Sequence, residues 1–283
     1  MRDSSPAAQN DTMVTWDCRV APLIETEEVF KIFKSAAKSV QALERVSFGA
    51  DQGSFVSLVG PSGCGKSTLL KIVAGLLPAS SGGVSVAGRR VEGPLENVGM
   101  VFQSPVLLKW KSVLGNIMLP VEFARLDRTR YLEKARALVR LVGLEGFEEM
   151  YPYQLSGGMQ QRVSLCRALV TDPQILLMDE PFGALDAMTR DELDIELLKI
   201  WDGKGKTALF VTHNIQEAVF LSDAIIVMSP RPGRVIERLA IDLPRPRSFE
   251  MMSSSKFCDY TLRIRGMLAS ASGNPAAAAG STT

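Results

Sequence analysis

Short apolar runs that stop at glycine or at acids alternate along the chain with segments of helical period, and that alternation sets the expected fold. From Glu28 onward, Val29, Phe33, Val46 and Phe48 suggest short strands. Phe55-Val56-Ser57-Leu58-Val59 is apolar nearly throughout and stops at Gly60, as a strand buried on both faces would. Residues 66–74 read as a helix closed by Gly75. An apolar strand over 98–102 follows, then a predominantly helical stretch over about 112–143, its last turns crowded with Leu138, Val139, Leu141 and Val142. The series continues with a helix over 156–170, a strand over 175–178, a helix over 186–201 and a strand over 208–212. A short helix ending at Leu221 and a strand over 224–228 complete it. Strands alternating with helices predict an α/β fold with a parallel sheet covered on both faces. The helical block between Phe102 and Ile175 would form a lobe of its own.

Outside that series the pattern fades. Residues 1–25 are mixed and polar without period, which predicts a loose extension. Pro230 to Gly233 marks a turn, and Pro244 to Pro246 a boundary. Phe257, Tyr260, Ile264 and Leu268 then recur at helical spacing, predicting a last amphipathic helix within 246–268. The Ala/Ser/Gly-rich residues 269–283 read as a disordered tail. With 283 residues, 46 % of them apolar and 22 % charged, the chain has the balance of a globular protein with a sizeable core. A net charge of +1 supplies no broad basic field, so no nucleic-acid partner is expected. Cys18, Cys64, Cys166 and Cys258 lack the paired spacing of a zinc site or disulfide framework, which points to a reducing compartment. No apolar run approaches ~18 residues, and the N-terminus is polar where a signal segment would be apolar. A membrane connection would have to come through a partner.

Three segments carry chemistry. Gly60-Pro61-Ser62-Gly63-Cys64-Gly65-Lys66-Ser67-Thr68 fits the phosphate-loop pattern between an expected strand and an expected helix. Its glycines let backbone amides wrap phosphates, Lys66 neutralises β/γ-phosphate charge, and the Ser67 hydroxyl suits Mg²⁺. Ile175-Leu176-Leu177-Met178-Asp179-Glu180 delivers two acids at the carboxyl end of a strand, where ligands bind in parallel sheets. There Asp179 would hold Mg²⁺, and Glu180 would orient and deprotonate an attacking water. The third segment is Leu155-Ser156-Gly157-Gly158-Met159-Gln160-Gln161-Arg162, a second glycine-rich helix start. Taken alone, it reads as a cap by Ser156 followed by turn glycines. In a chain that already has a phosphate loop, its uncovered amides and helix dipole make a second phosphate-facing surface.

Together and in this order, these segments resemble the ATP-binding cassette (ABC) family, over roughly 29–245. The resemblance implies a P-loop NTPase (RecA-like) core with an inserted α-helical lobe at about 105–165 and an N-terminal antiparallel β region, in an ABC ATPase domain spanning 26–245. It implies ATP and Mg²⁺ as cofactors. Gln103 takes the place of the glutamine that senses Mg²⁺ and the γ-phosphate. His213, the chain's one histidine, takes that of the switch histidine, able to donate to the γ-phosphate while holding the water of Glu180. Gly183-Ala184-Leu185-Asp186 resembles the loop that crosses the dimer axis, and Ser156, Gly157, Gly158 and Gln160 the signature that reaches a partner's nucleotide. Phe33 matches the aromatic that stacks on adenine, with Phe30 as competitor.

Ser57 to Gly65 and Phe182 to Asp186 look like bacterial importer subunits. Glu217 to Asp223 and Arg231-Pro232-Gly233 lean toward the nitrate/sulfonate/taurine group. The implied function is an ATPase subunit, paired with a second copy, that drives uptake of a small solute, such as one of those anions. It would work through separate transmembrane permease subunits, with an extracytoplasmic solute-binding protein, peripherally on the cytoplasmic face of the inner membrane. The alternative is a soluble ABC ATPase acting on ribosomes or DNA. Departures from the usual pattern are Ser54 after Gly53, Asn214 after His213, and Lys109-Trp110-Lys111 after Gln103. None removes a catalytic group.

Overall fold

In the computed structural model, which describes residues 21–35, 38–183, 185–201 and 205–272, the strands sort into two sheets. β1 (Ile24–Lys34) and β2 (Ser39–Ala50) pair antiparallel, and β4 (Ser81–Val86) and β5 (Arg89–Arg90) extend them in the order β2-β1-β4-β5. The second sheet has β3 (Phe55–Val59) near its centre, with β8 (Thr207–Thr212), β7 (Ile175–Asp179) and β6 (Val98–Val101) on one side. On its other side lie β9 (Ala224–Met228) and β10 (Val235–Ala240), giving the order β10-β9-β3-β8-β7-β6. All neighbours pair parallel except β9 with β10.

The period of two decides what each face meets. Leu176 and Met178 of β7 point into one apolar cluster, while Ile175 and Leu177 point into the other. Helix α1 (Lys66–Val73) and the antiparallel sheet supply the second cluster. The first takes the lobe helices α2 (Val113–Ile117), α3 (Leu119–Phe123), α4 (Arg128–Leu141) and α5 (Gly157–Leu169), with α6 (Ala187–Trp201), α7 (Ile215–Leu221) and α8 (Ser255–Ala271). Covered on both faces, β3, β7, β8 and β9 are buried along their whole length. This is why they read as continuous apolar runs.

The expected helical stretch over about 112–143 consists of three helices. Pro120 sits in the first turn of α3 and cannot continue α2, and the Asp127 side chain accepts from the Thr129 N–H at 2.9 Å to start α4 afresh. β1 begins at the fully buried Ile24, so the last two residues of the expected polar extension are strand. β10 has no counterpart in the sequence reading: it is an edge strand whose buried and exposed positions alternate only weakly. α8 runs through Ala271, three residues into the segment expected to be a disordered tail. The rest of that expected tail from 273 on, the expected extension over 1–20 and Ala184 lie outside the described residues.

Candidate functional site

The site lies at the carboxyl ends of β3, β7 and β8, adjacent in the parallel sheet. β3 ends into the loop 60–65, where Gly63 and Gly65 take φ of 72° and 112°. At Gly65 a side chain is barred twice, because a Cβ there would also stand 2.6 Å from Leu43 Cδ2. No side chain caps α1, so its first amides stay open to an anion. The buried Lys66 ammonium donates to Gly60 O at 2.7 Å and Pro61 O at 3.0 Å. Ser67 Oγ donates to Asp179 Oδ1 at 2.8 Å. Burial raises the Asp179 carboxyl above its ordinary value, and the Ser67 hydroxyl opposes that shift.

Glu180 leaves β7 with φ 46°, a left-handed conformation uncommon for a residue with a side chain. Its N–H donates to Val211 O at 2.9 Å, tying the turn to β8. Its Oε2 lies 3.1 Å from His213 Nδ1 and 3.5 Å from Gln103 Nε2, so groups beyond the ends of β8 and β6 converge on the acid between them. His213 stands on a braced backbone. The Thr212 hydroxyl donates to the buried Glu217 carboxylate and accepts from the Asn214 N–H at 3.0 Å, fixing the residues on both sides. Burial pushes the Glu217 carboxyl up to about 7, against the Thr212 bond and the charges of Arg190 and His213.

These groups surround a cleft of about 410 Å³. Phe33, Ser62, Gly63, Gly65, Lys66, Ser67, Thr68, Gln103, Glu180 and His213 line it. Phe33, 43 % exposed, presents its ring there with Lys31 Nζ 5.2 Å from the ring centre, whereas Phe30 is not part of the lining. Gly60 and Cys64 lie beneath, the Cys64 thiol 3.9 Å from Lys66 Nζ. Val40, Ala42 and Arg231 complete the walls and were not singled out as site residues in the sequence. Val40 and Ala42 are small apolar residues with no chemical mark, and Arg231 falls in a proline-rich turn.

Ser156, Gly157, Gly158, Gln160 and Asp186 are not in that cleft. Ser156 Oγ accepts from the Met159 N–H at 3.2 Å and caps α5, and Gln160 Nε2 donates to Pro152 O at 2.9 Å. Gly158 packs so close to Leu185 that a Cβ would stand 2.7 Å from Leu185 Cδ2. Asp186 accepts from the Thr189 N–H at 3.0 Å, and that bond holds its carboxyl below the usual value. The glycine-rich start of α5 and the start of α6 thus form a second surface, joined to each other and separate from the cleft within one chain.

The family model described as ABC transporter matches residues 43–183. An uncharacterized ABC transporter ATP-binding protein of Methanocaldococcus jannaschii is 46 % identical over 250 residues, 88 % of this chain and 92 % of its own. The taurine import ATP-binding protein TauB of Rhizobium johnstonii is 48 % identical over 238 residues, 82 % of this chain and 90 % of its own. Among solved structures, a dimeric ATP-binding cassette in a post-hydrolysis state, bound to ADP and Pi, superposes with a TM-score of 0.71 at 31 % identity. That match covers 78 % of this chain and 100 % of the other. A phosphate loop, an acid pair two strands away in the same sheet and a glycine-rich helix start on one fold, with relatives this similar over most of their length, leave one conclusion: the chain belongs to the ABC transporter family and is an ATP-binding ATPase of the P-loop NTPase fold.

Proposed function

We propose that this ATPase powers import of a small solute, an anion of the nitrate, sulfonate or taurine kind, through separate transmembrane permease subunits. The observation that carries the hydrolytic part is the convergence of Gln103 and His213 on Glu180 at the rim of the phosphate-loop cleft. In this reading the loop amides and Lys66 hold the ATP phosphates, and Phe33 stacks on the base. Glu180 takes the proton of the attacking water, while Gln103 and His213 orient that carboxylate. Ser67 Oγ and Asp179 Oδ1, a pair of hard oxygen donors, suit Mg²⁺, with Gln103 as a further oxygen donor. When bound, Mg²⁺ neutralises charge on the β- and γ-phosphates.

In the signature surface Ser156 and Gly157 are exposed and Gly158 and Gln160 half-buried; in this reading the surface meets the nucleotide of a second copy, with Asp186 near the two-fold axis. Among the described residues no helix is long and apolar enough to cross a membrane. The membrane connection is therefore assigned to permease subunits on the cytoplasmic side of the inner membrane, fed by an extracytoplasmic solute-binding protein. Trp110, 73 % exposed just past Gln103, offers an apolar contact for such a partner. The solute class rests on the taurine-import relatives.

The test is uptake into vesicles containing the permease subunits that co-purify with this chain from membranes, with ATP on the cytoplasmic side. Labelled taurine, alkanesulfonate and nitrate should compete for one ATP-dependent uptake. Uptake unaffected by removal of this chain, or its co-sedimentation with ribosomes in place of membranes, overturns the reading.

A further inference from the structure

The loop between β9 and β10 lies across the phosphate loop. Arg231 donates twice to one acceptor, Nε to Gly63 O at 3.1 Å and Nη2 to the same oxygen at 3.0 Å. Gly233 presses against the next carbonyl, so that a Cβ there would stand 2.1 Å from Cys64 O. The same loop is bonded to β2: the Gly233 N–H donates to Ala42 O and the Glu44 N–H to Gly233 O, each at 2.9 Å. Arg234 pairs with Glu44 at 2.8 Å. Ser229 ties the loop to itself, donating to Pro232 O at 3.0 Å and accepting from the Arg234 N–H at 3.0 Å. One short, internally braced segment thus joins the phosphate loop to the strand whose Val40 and Ala42 wall the cleft beside Phe33.

Carbonyl oxygens in a phosphate loop repel the anion the loop must bind. Gly60 O and Pro61 O are held by the Lys66 ammonium, and Gly63 O by the Arg231 guanidinium. The two cations differ in what they can do next. A lysine ammonium is a rotatable point charge that can exchange carbonyls for phosphate oxygens, whereas the planar Arg231 guanidinium meets a single carbonyl oxygen with two N–H groups at once. Among the described residues, the hydrogen bonds of Arg231 go to Gly63 and not to Glu180, His213 or Gln103. We infer that Arg231 is a positioning residue for nucleotide binding: it holds the Gly63 carbonyl and offsets its partial negative charge while Lys66 turns to the phosphates, and it has no part in the attack of water.

The inference rests on the reading of the cleft as the ATP site, and the test separates the two. Affinities for ATP and ADP, KM, kcat and melting temperature are measured for the wild type, Arg231→Ala, Arg231→Lys and Lys66→Ala. Arg231→Ala should weaken ATP and ADP alike and raise KM by about five- to ten-fold, the range of an exposed charge-assisted contact made through two N–H groups. Its kcat should stay within about two-fold and its melting temperature near wild type, as expected of an exposed side chain. Arg231→Lys should recover part of the affinity, because one ammonium restores the charge but not the two-bond grip. Wild-type affinity in Arg231→Ala, alongside a weakened Lys66→Ala, overturns this inference alone. So does a fall of kcat at constant KM, or a joint loss of both parameters and of melting temperature. Undiminished binding by Lys66→Ala overturns the reading of the cleft itself.

Discussion

His213 Nδ1 and Glu180 Oε2 stand 3.1 Å apart, and the direction of that bond constrains both residues. With Nδ1–H donating to the carboxylate, a neutral imidazole presents Nε2 only as an acceptor. To hold Glu180 and also donate to a phosphate, the ring needs a second proton. The resemblance implies that His213 donates to the γ-phosphate while holding the water of Glu180; in the structure the ring meets the Glu180 carboxylate itself. Glu180 meets both His213 and Gln103 through the same oxygen, Oε2.

Glu180→Gln keeps an acceptor for His213 and removes the base. Its ATP turnover should fall by about 10²–10⁴-fold with ATP affinity within about three-fold of wild type. His213→Ala should also lose turnover, because Glu180 loses the donor that orients it. Steady-state hydrolysis combined with nucleotide titration checks both. Near-normal turnover in Glu180→Gln removes this residue from the mechanism.

Glu217 makes folding stability depend on pH. Its carboxyl is raised from 4.5 to about 7, chiefly by burial, so the native state holds a proton that the unfolded chain releases. This contribution is full below pH 4.5 and is lost as the pH rises through about 7. The neighbouring Asp194 is raised in the same direction, by burial first and by the charge of Glu217 second. Glu217→Gln stays neutral and still offers Thr212 an acceptor. It should flatten the loss of stability between pH 5 and 8 and be more stable than wild type at pH 8, by at most about 3 kcal/mol. Denaturant melts across that range decide it; identical pH profiles for variant and wild type assign the titration to other groups.

Pairing through the second surface gives a further expectation. Glu180→Gln with ATP should run as a dimer in size-exclusion chromatography, because unhydrolysed nucleotide bridges the loop of one copy and Ser156–Gly158 of the other. Ser156 is exposed at the start of α5, so Ser156→Arg in that background should abolish pairing and leave the fold intact. ATP-driven dimers that persist in the double variant would dissociate the signature from assembly.

What the sequence made legible follows from where the information sits. Gly60 to Thr68, Asp179 and Glu180 announce themselves because each motif lies within one stretch of chain at a strand end, and the strand itself is a buried apolar run. Gln103 and His213 each follow a strand end, but a glutamine or histidine there has no motif of its own, and their roles come from the resemblance to the family. Val40, Ala42 and Arg231 reach the cleft through contacts made nearly 20 residues before the phosphate loop and some 170 after it. No local pattern encodes such contacts. Edge strand β10 escaped for a different reason, as its half-exposed alternation is too weak to distinguish it from loop. Within the expected helical stretch, the breaks fall at Pro120, in the first turn of α3, and at Asp127, which caps α4.

The segment after Gln103 supplies the last prediction. Apolar residues run from Pro105 to Leu108, but the structure gives them different tasks. Leu107 packs against the core, and the backbone of Leu108 is bonded in both directions to the fully buried Asn116, through Oδ1 at 2.7 Å and Nδ2 at 3.1 Å. Asn116 Nδ2 also donates to Lys111 O and Ser112 O, closing the turn beneath Trp110. The turn is therefore rigid and the indole stands outside it, as an anchor for a partner would. Trp110→Ala should leave melting temperature and basal ATPase activity near wild type while weakening capture of the permease by about 30-fold, the effect of ~2 kcal/mol at an aromatic anchor. Asn116→Ala removes the support and leaves the half-buried Leu108 N–H and Lys111 carbonyl without their partner, while Leu108 O and Ser112 O keep backbone donors. It should lower stability by about 1–3 kcal/mol and weaken permease capture as well, because the turn no longer holds its shape. Pull-down from solubilised membranes, read beside thermal melts, separates the two effects. If Trp110→Ala holds the permease as the wild type does, the indole is a bystander and the docking surface lies elsewhere on the lobe.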